Sequence, residues 1–133
     1  MAIAVLDRVD AWMAENVIAP LRGSEPPGER LQRMIAAMDR FYVGGYESCV
    51  LGNLVLGGTR ARFQDRLRSA FESWIQALTT LGRDAGIAEA AARRNAEDAV
   101  VQIQGALVVA GGLDDPAPFR RVLERMPGLL LAN

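Results

Sequence analysis

The stretch Leu31-Gln32-Arg33-Met34-Ile35-Ala36-Ala37-Met38-Asp39-Arg40-Phe41-Tyr42 decides the fold class. Leu31, Met34, Ile35, Met38, Phe41 and Tyr42 sit at offsets of 3, 4, 7, 10 and 11, which places them on one face of an α-helix. A strand would need strict alternation, and no stretch of the chain alternates. Upstream, Gly23-Ser24-Glu25-Pro26-Pro27-Gly28 reads as a rigid turn. Proline suits the first helical position and Glu29 suits the positive end of a helix dipole. Gly44-Gly45 stops the helix.

Working outward, residues 2–19 carry Val5, Leu6, Val9, Trp12, Met13 and Val17 on one broad face, and Pro20 is expected to end or bend that helix. Residues 47–56 form a short apolar helix or turn, broken by Gly57-Gly58-Thr59. A long amphipathic helix over about 60–84 turns Phe63, Leu67, Ala70, Phe71, Trp74, Leu78 and Leu81 inward, with Arg68 and Glu72 as an i,i+4 pair on its wet side. Asn95 is the expected cap of the next helix, with Glu97 and Asp98 in its first turn. Ala96, Ala99, Val100, Val101, Ile103, Ala106, Leu107, Val108, Val109 and Ala110 leave that helix almost no polar face, as in a helix buried on both sides. A last helix starts at Asp115-Pro116, carries Phe119, Val122, Leu123 and Met126, and closes at Pro127-Gly128. The expectation is one all-α domain over residues 1–133, with about six helices and no internal repeat or linker.

One side of so apolar a helix can face the domain core while the other needs a partner from outside the chain. The last two helices are therefore expected to dimerise, as a four-helix bundle between two copies. The expected interface residues are Val100, Ile103, Leu107, Phe119, Val122, Leu123 and Met126.

Composition narrows the chemistry. The chain has 133 residues, enough for one cored domain, and a net charge of −1, so no global basic field draws it to nucleic acid. All fifteen basic residues are arginine, a pattern of genome composition rather than of binding. Arg60, Arg62, Arg66 and Arg68 are interleaved with Asp65 and Glu72 and read as a solvated helix face. Without histidine, and with Cys49 alone, there is no Cys/His metal set and no intrachain disulfide. Cys49 sits among Val50, Leu51 and Leu54 and reads as an inert core thiol. No nucleophile–base pair or carboxylate cluster in an apolar setting points to catalysis, and Gly57-Gly58-Thr59-Arg60 lacks the lysine and spacing of a phosphate loop. The expectation is a non-enzyme without cofactor or metal. No apolar run approaches the ~20 residues of a membrane span. No positive segment precedes Ala2-Ile3-Ala4-Val5-Leu6 either, which points to the cytoplasm.

A resemblance joins these parts. Gly45 and Cys49-Val50-Leu51-Gly52-Asn53-Leu54, then Phe63, Leu67, Phe71 and Trp74, Gly105-Ala106-Leu107, and Asp115-Pro116-Ala117-Pro118-Phe119-Arg120 resemble the regulatory half of TetR-family repressors of the LmrA/YxaF-like subgroup. Glu15-Asn16-Val17-Ile18-Ala19-Pro20-Leu21 looks like the first regulatory helix of that family. The resemblance implies bacterial transcription regulation: a helical domain that dimerises and binds a small hydrophobic or amphipathic effector. DNA would be met only through a helix-turn-helix, which is absent from the given residues because Met1 stands where the regulatory half begins. Where members often carry Glu after the conserved glycine–asparagine stretch, this chain has Gly57-Gly58, so no role of that carboxylate carries over. The implied cavity would be lined from Trp12, Met13, Met38, Phe41, Tyr42, Tyr46, Phe71 and Trp74, with Tyr42, Tyr46, Asn53 and Gln102 as polar anchors. The alternative function is a free-standing interaction protein whose dimer face pairs with itself or with a complete homologous repressor.

Overall fold

A computed structural model describes residues 2–41 and 60–132. The expected helix at 47–56, with Tyr42, Tyr46, Cys49 and Asn53, lies outside the described residues, as do the side chains of Val5, Leu6 and Phe63. Every described element is helical: α1 (Ala2–Met13), a π-helical segment (Ala14–Ile18), α2 (Ala19–Leu21), α3 (Pro27–Phe41), α4 (Arg60–Asp84), α5 (Glu89–Leu113) and α6 (Ala117–Leu131). The first three run on as one rod, so the described residues form an all-α fold of five helical rods.

The rod passes through Pro20 instead of ending there. The Ala19 amide donates to the Ala14 carbonyl, five residues back, in the wide hydrogen-bond pattern of a π turn. Packing supplies the reason. The buried residues of the rod are Val9, Met13, Val17 and Leu21, spaced by four. An α-helix turns about 100° per residue, so a spacing of four drifts about 40° per step and about 120° over three steps. The wide turn unwinds the rod and brings the two halves of the stripe back onto one face.

The long helices are joined by two tight reversals with one backbone logic. After α4, the Gly86 amide donates to Arg83 and the Ile87 amide to Gly82, with Gly86 at φ 95°. After α5, the Asp114 amide donates to Gly111 and the Asp115 amide to Ala110, with Asp114 at φ 53°. Both are Schellman closures, whose hinge residue adopts the left-handed conformation. The Asp115 carboxylate, one residue before the Pro116 N-cap, accepts the amide of Ala117, the first residue of α6, at 3.0 Å. These short connections fold α4, α5 and α6 into an antiparallel stack. A Cβ placed on Gly82 would stand 3.1 Å from the Ala92 Cβ and 3.5 Å from the Leu130 carbonyl oxygen, so small residues set how closely the three helices meet.

Two boundaries differ from expectation. The fourth rod, α5, starts at Glu89, and Asn95 lies within its second turn. The alanines between, the strongest helix formers, carry the helix back to the Gly86 turn and bury Ala92 and Ala96. Likewise α6 continues through Pro127 to Leu131. An interior proline costs about 3 kcal/mol, but stopping there would expose Leu130, which is enclosed in the core.

The core is continuous from Val9 in α1 to Leu130 in α6, with Trp74 and Phe119 as its largest enclosed side chains. Among the described residues, one charge lies inside it. Arg30 is 4% exposed, and its Nη1 donates to the Leu21 carbonyl at 3.0 Å and to the Asp84 carboxylate at 2.9 Å. This guanidinium ties the end of the rod, the start of α3 and the end of α4.

Candidate functional site

Two features of the described surface stand apart from ordinary solvated helix: an uncovered apolar face on α5, and a groove between the first rod and α4.

The α5 face follows from a helix that is apolar all round. Ala99, Val100, Ile103, Ala106, Leu107 and Ala110 point into the core. The opposite side exposes Val101 by 70%, Val108 by 51%, Val109 by 50% and Leu113 by 64%. Val101, Gly105, Val108 and Gly112 follow one another along this side at offsets of 4, 7 and 11, and added Cβ atoms at either glycine would meet nothing. Val122 of α6 is half-buried.

This placement changes the residues expected at the interface. Ile103, Leu107, Phe119, Leu123 and Met126 are enclosed by their own chain, and Val100 is nearly so, leaving a partner almost nothing to touch. The helix pair expected to carry the interface does carry an exposed apolar surface, but on the other side of α5. Hydrophobicity all round a helix does not say which half turns inward; the neighbours α4 and α6 decide it.

The groove holds a cavity of about 460 Å³. Met13, Ala14 and Ile18 line it from the α1 and π-helical parts of the rod, with Ala70, Ser69 and Ser73 opposite on α4. Its polar end is formed by Asp10, Asp65 and Arg66. Arg66 reaches across to Asp7, at 2.9 Å, and to Asp10. Those two carboxylates raise the pKa of the Arg66 guanidinium, the Asp10 hydrogen bond most of all. Asp65, on the preceding residue of α4, has no ion pair among the described residues. The local sequence predicts Arg66 to belong to a solvated basic cluster; the structure makes it an interhelical clamp.

The expected cavity residues do not all gather. Of those among the described residues, only Met13 lines the groove. Trp12 stacks on Phe41, ring centroids 4.0 Å apart and planes 31° apart, at the rod–α3 junction. Met38 and Trp74 are enclosed in the core, and Phe71 packs against it half-buried. Gln102 is exposed on α5, away from that set, because α5 turns Ile103 inward instead. Among the described residues, three buried side-chain atoms have no hydrogen-bond partner: the Arg30 Nε, the Trp74 indole Nε1 and the Gln104 Oε1. Such orphans are uncommon and cost free energy unless something supplies the missing bond. Sequence gave no signal for Gln104, whose neighbours are as apolar as those of Gln102.

Between helices the ties are guanidinium–carboxylate pairs. Glu72 bonds not to Arg68, as expected, but to Arg93 of α5 in a two-pronged contact, with Arg93 also reaching Glu97 at 3.1 Å. The Arg93 hydrogen bond holds the Glu72 carboxyl below its usual pKa. Arg120 of α6 meets Asp39 of α3 at 3.2 Å. Among the described residues, no group of carboxylates is placed to hold a metal ion, and no helix is long and apolar enough to cross a membrane.

Comparison with known proteins adds one positive result. No curated protein and no solved structure matches the chain. A family model described as the C-terminal domain of LmrA/YxaF-like transcriptional regulators matches residues 27–125. That span runs from the first residue of α3 to within α6 and takes in the whole α4–α5 pair. With three quarters of its length inside that match, the chain belongs to the LmrA/YxaF-like family of TetR-type regulatory C-terminal domains.

Proposed function

We propose that this domain is the effector-sensing and dimerisation module of a TetR-type transcriptional regulator, binding a small hydrophobic or amphipathic molecule. Family membership over residues 27–125 carries the reading. The uncovered apolar side of α5 supports the dimerisation half of it. The occupant of that side is a second copy, meeting it through Val101, Val108, Val109 and Leu113. The groove lined by Met13, Ala14, Ile18 and Ala70 supports the sensing half. An effector that binds one placement of the two subunits more tightly shifts the equilibrium between placements. In a two-fold regulator, subunit placement governs the spacing of the DNA-reading helices.

The test pairs sedimentation of the purified chain over a concentration series with titration of amphipathic aromatic compounds, followed by Trp12 and Trp74 fluorescence. A dimer with saturable quenching is the expected outcome. A monomer that no compound perturbs overturns the reading. The same α5 side also suits pairing with a complete homologous regulator; a mixed dimer formed in co-expression without any effector would favour that role.

A further inference from the structure

We infer that two copies of this chain pair antiparallel through α5, with the valines of each seated on the glycines of the other. The inference rests on the dimerisation reading and deepens it, because it names the residues that decide which chain is accepted as a partner. Val101, Gly105, Val108 and Gly112 stay within about 40° of one line along the helix, over about 16 Å. Projections and notches alternate along that line. Val101 is 70% exposed and Val108 is 51% exposed, while a Cβ added at Gly105 or Gly112 would meet nothing, so both notches are open.

All four positions are matched in one arrangement. A two-fold axis normal to α5, passing between Ala106 and Leu107, exchanges position 101 with 112 and position 105 with 108. Every valine of the strip then meets a glycine of the other copy, as a knob meets a hole. A parallel pair would set valine on valine and glycine on glycine, with clashes beside gaps. With nothing filling the notches, the two helices can approach to about 8 Å, the short end of ordinary helix packing. Charge agrees with a second copy as the occupant. In a two-fold contact a charge near the axis lies close to its own image, and residues 99–113 contain no charged side chain. Asp98, Asp114 and Asp115 lie beyond the four contacts, at solvated rims where salt screens like charges. Val109 and Leu113 flank the strip and widen the apolar contact. The alternation is therefore a pairing code: a homologous chain with large side chains at both notches is refused, and one with the same order is accepted.

Two single substitutions and their mixture test the register. Gly105→Val fills a notch that must receive a valine, and should weaken self-association at least about tenfold. Val108→Gly removes the matching projection and should weaken it as well. Neither should change the helical circular dichroism of the monomer, since position 105 is open and Val108 is half exposed. Mixed one to one, the two defective chains set valine against glycine at all four contacts. Native mass spectrometry, which separates them by mass, should then show the mixed dimer forming with the wild-type Kd while both homodimers are depleted. The double variant Gly105→Val/Val108→Gly exchanges one projection and one notch within a single chain and should regain self-association. A wild type that stays monomeric overturns dimerisation and the inference together. A dimeric wild type whose two single variants show no preference for each other, or a double variant as weak as the singles, overturns the inference and leaves dimerisation standing.

Discussion

The first rod and α5 face the same difficulty and resolve it differently. Each carries more apolar surface than one straight α-helical face can bury. In the rod, Val9, Met13, Val17 and Leu21 are spaced too widely for an α-helix, and the backbone yields: a π turn gathers them onto one side. In α5 the backbone stays regular. The core takes one side, and Val101, Val108, Val109 and Leu113 are left outside. Local hydrogen bonding can be rearranged within a chain to rescue a misplaced stripe. No local rearrangement can hide a second full face, and only another molecule can.

The sharpest way to break that contrast is to place a charge on each side of α5. Leu107→Arg puts a guanidinium into the enclosed core and is expected to cost about 3–5 kcal/mol, lowering or abolishing the cooperative thermal transition followed by circular dichroism. Val108→Arg, one residue on, should leave helicity and melting of the monomer almost unchanged and halve the mass seen by light scattering. If both variants unfold, or if Val108→Arg remains dimeric, the assignment of the two sides fails.

The rod offers a third test. Inserting one alanine after Ala14 adds a residue beyond the one that the wide turn accommodates and swings Val9 and Met13 about 100° off the buried side. With roughly 1.5–3 kcal/mol at stake for each large side chain exposed, a loss of about 3 kcal/mol is expected in urea unfolding. Deleting Ala14 instead leaves Val9, Met13, Val17 and Leu21 at steps of 4, 3 and 4, as a regular α-helical face needs, and should cost little; a deletion as damaging as the insertion would show that the π turn does not serve packing. Smaller effects belong to the reversals. Gly86→Ala places a side chain at φ 95° and should cost about 1 kcal/mol, while Asp114→Gly, at φ 53°, should stabilise by up to about 1 kcal/mol. The smallest effect is electrostatic and is read from the pH profile. Arg93 lowers the folded-state pKa of Glu72, so the stabilisation from this pair is present above the unfolded carboxyl pKa and disappears as pH falls through the lowered folded value. The melting-temperature gap between the wild type and Glu72→Gln should therefore be small at pH 7 and close on acidification.

Much of this architecture is legible from residue spacing. The run from Leu31 to Met38 places α3 correctly, and the long helix expected at about 60–84 is α4, Arg60–Asp84. The misses have physical causes. Asn95 and Pro127 look like helix ends locally, yet Ala92 and Leu130 gain enough from packing to carry α5 and α6 past them. The signal for α5 was present in Ala92, Ala96, Ala99 and Ile103, small and apolar residues at steps of 4, 3 and 4 that let it lie close to Gly82. Val100 against Val101, and Leu107 against Val108, could not be sorted from sequence, because side-chain type is nearly the same on both sides and the burying neighbours are distant in the chain. Of the groove, sequence supplied Met13. The carboxylates facing Arg66 come from a helix some 56 residues away, a separation that no local pattern encodes.

The π turn also bears on how such helices are traced through descent. A wide turn amounts to one residue more than an α-helix needs to span the same length. A relative with a regular rod would preserve the same buried side with one position fewer between Met13 and Val17. Aligned without a gap, the two sequences would match their buried positions on one side of the turn and miss them on the other. Homologues of this rod should thus be sought by allowing a one-residue gap at 14–18, inside a continuous helix, where alignment schemes ordinarily penalise one most heavily.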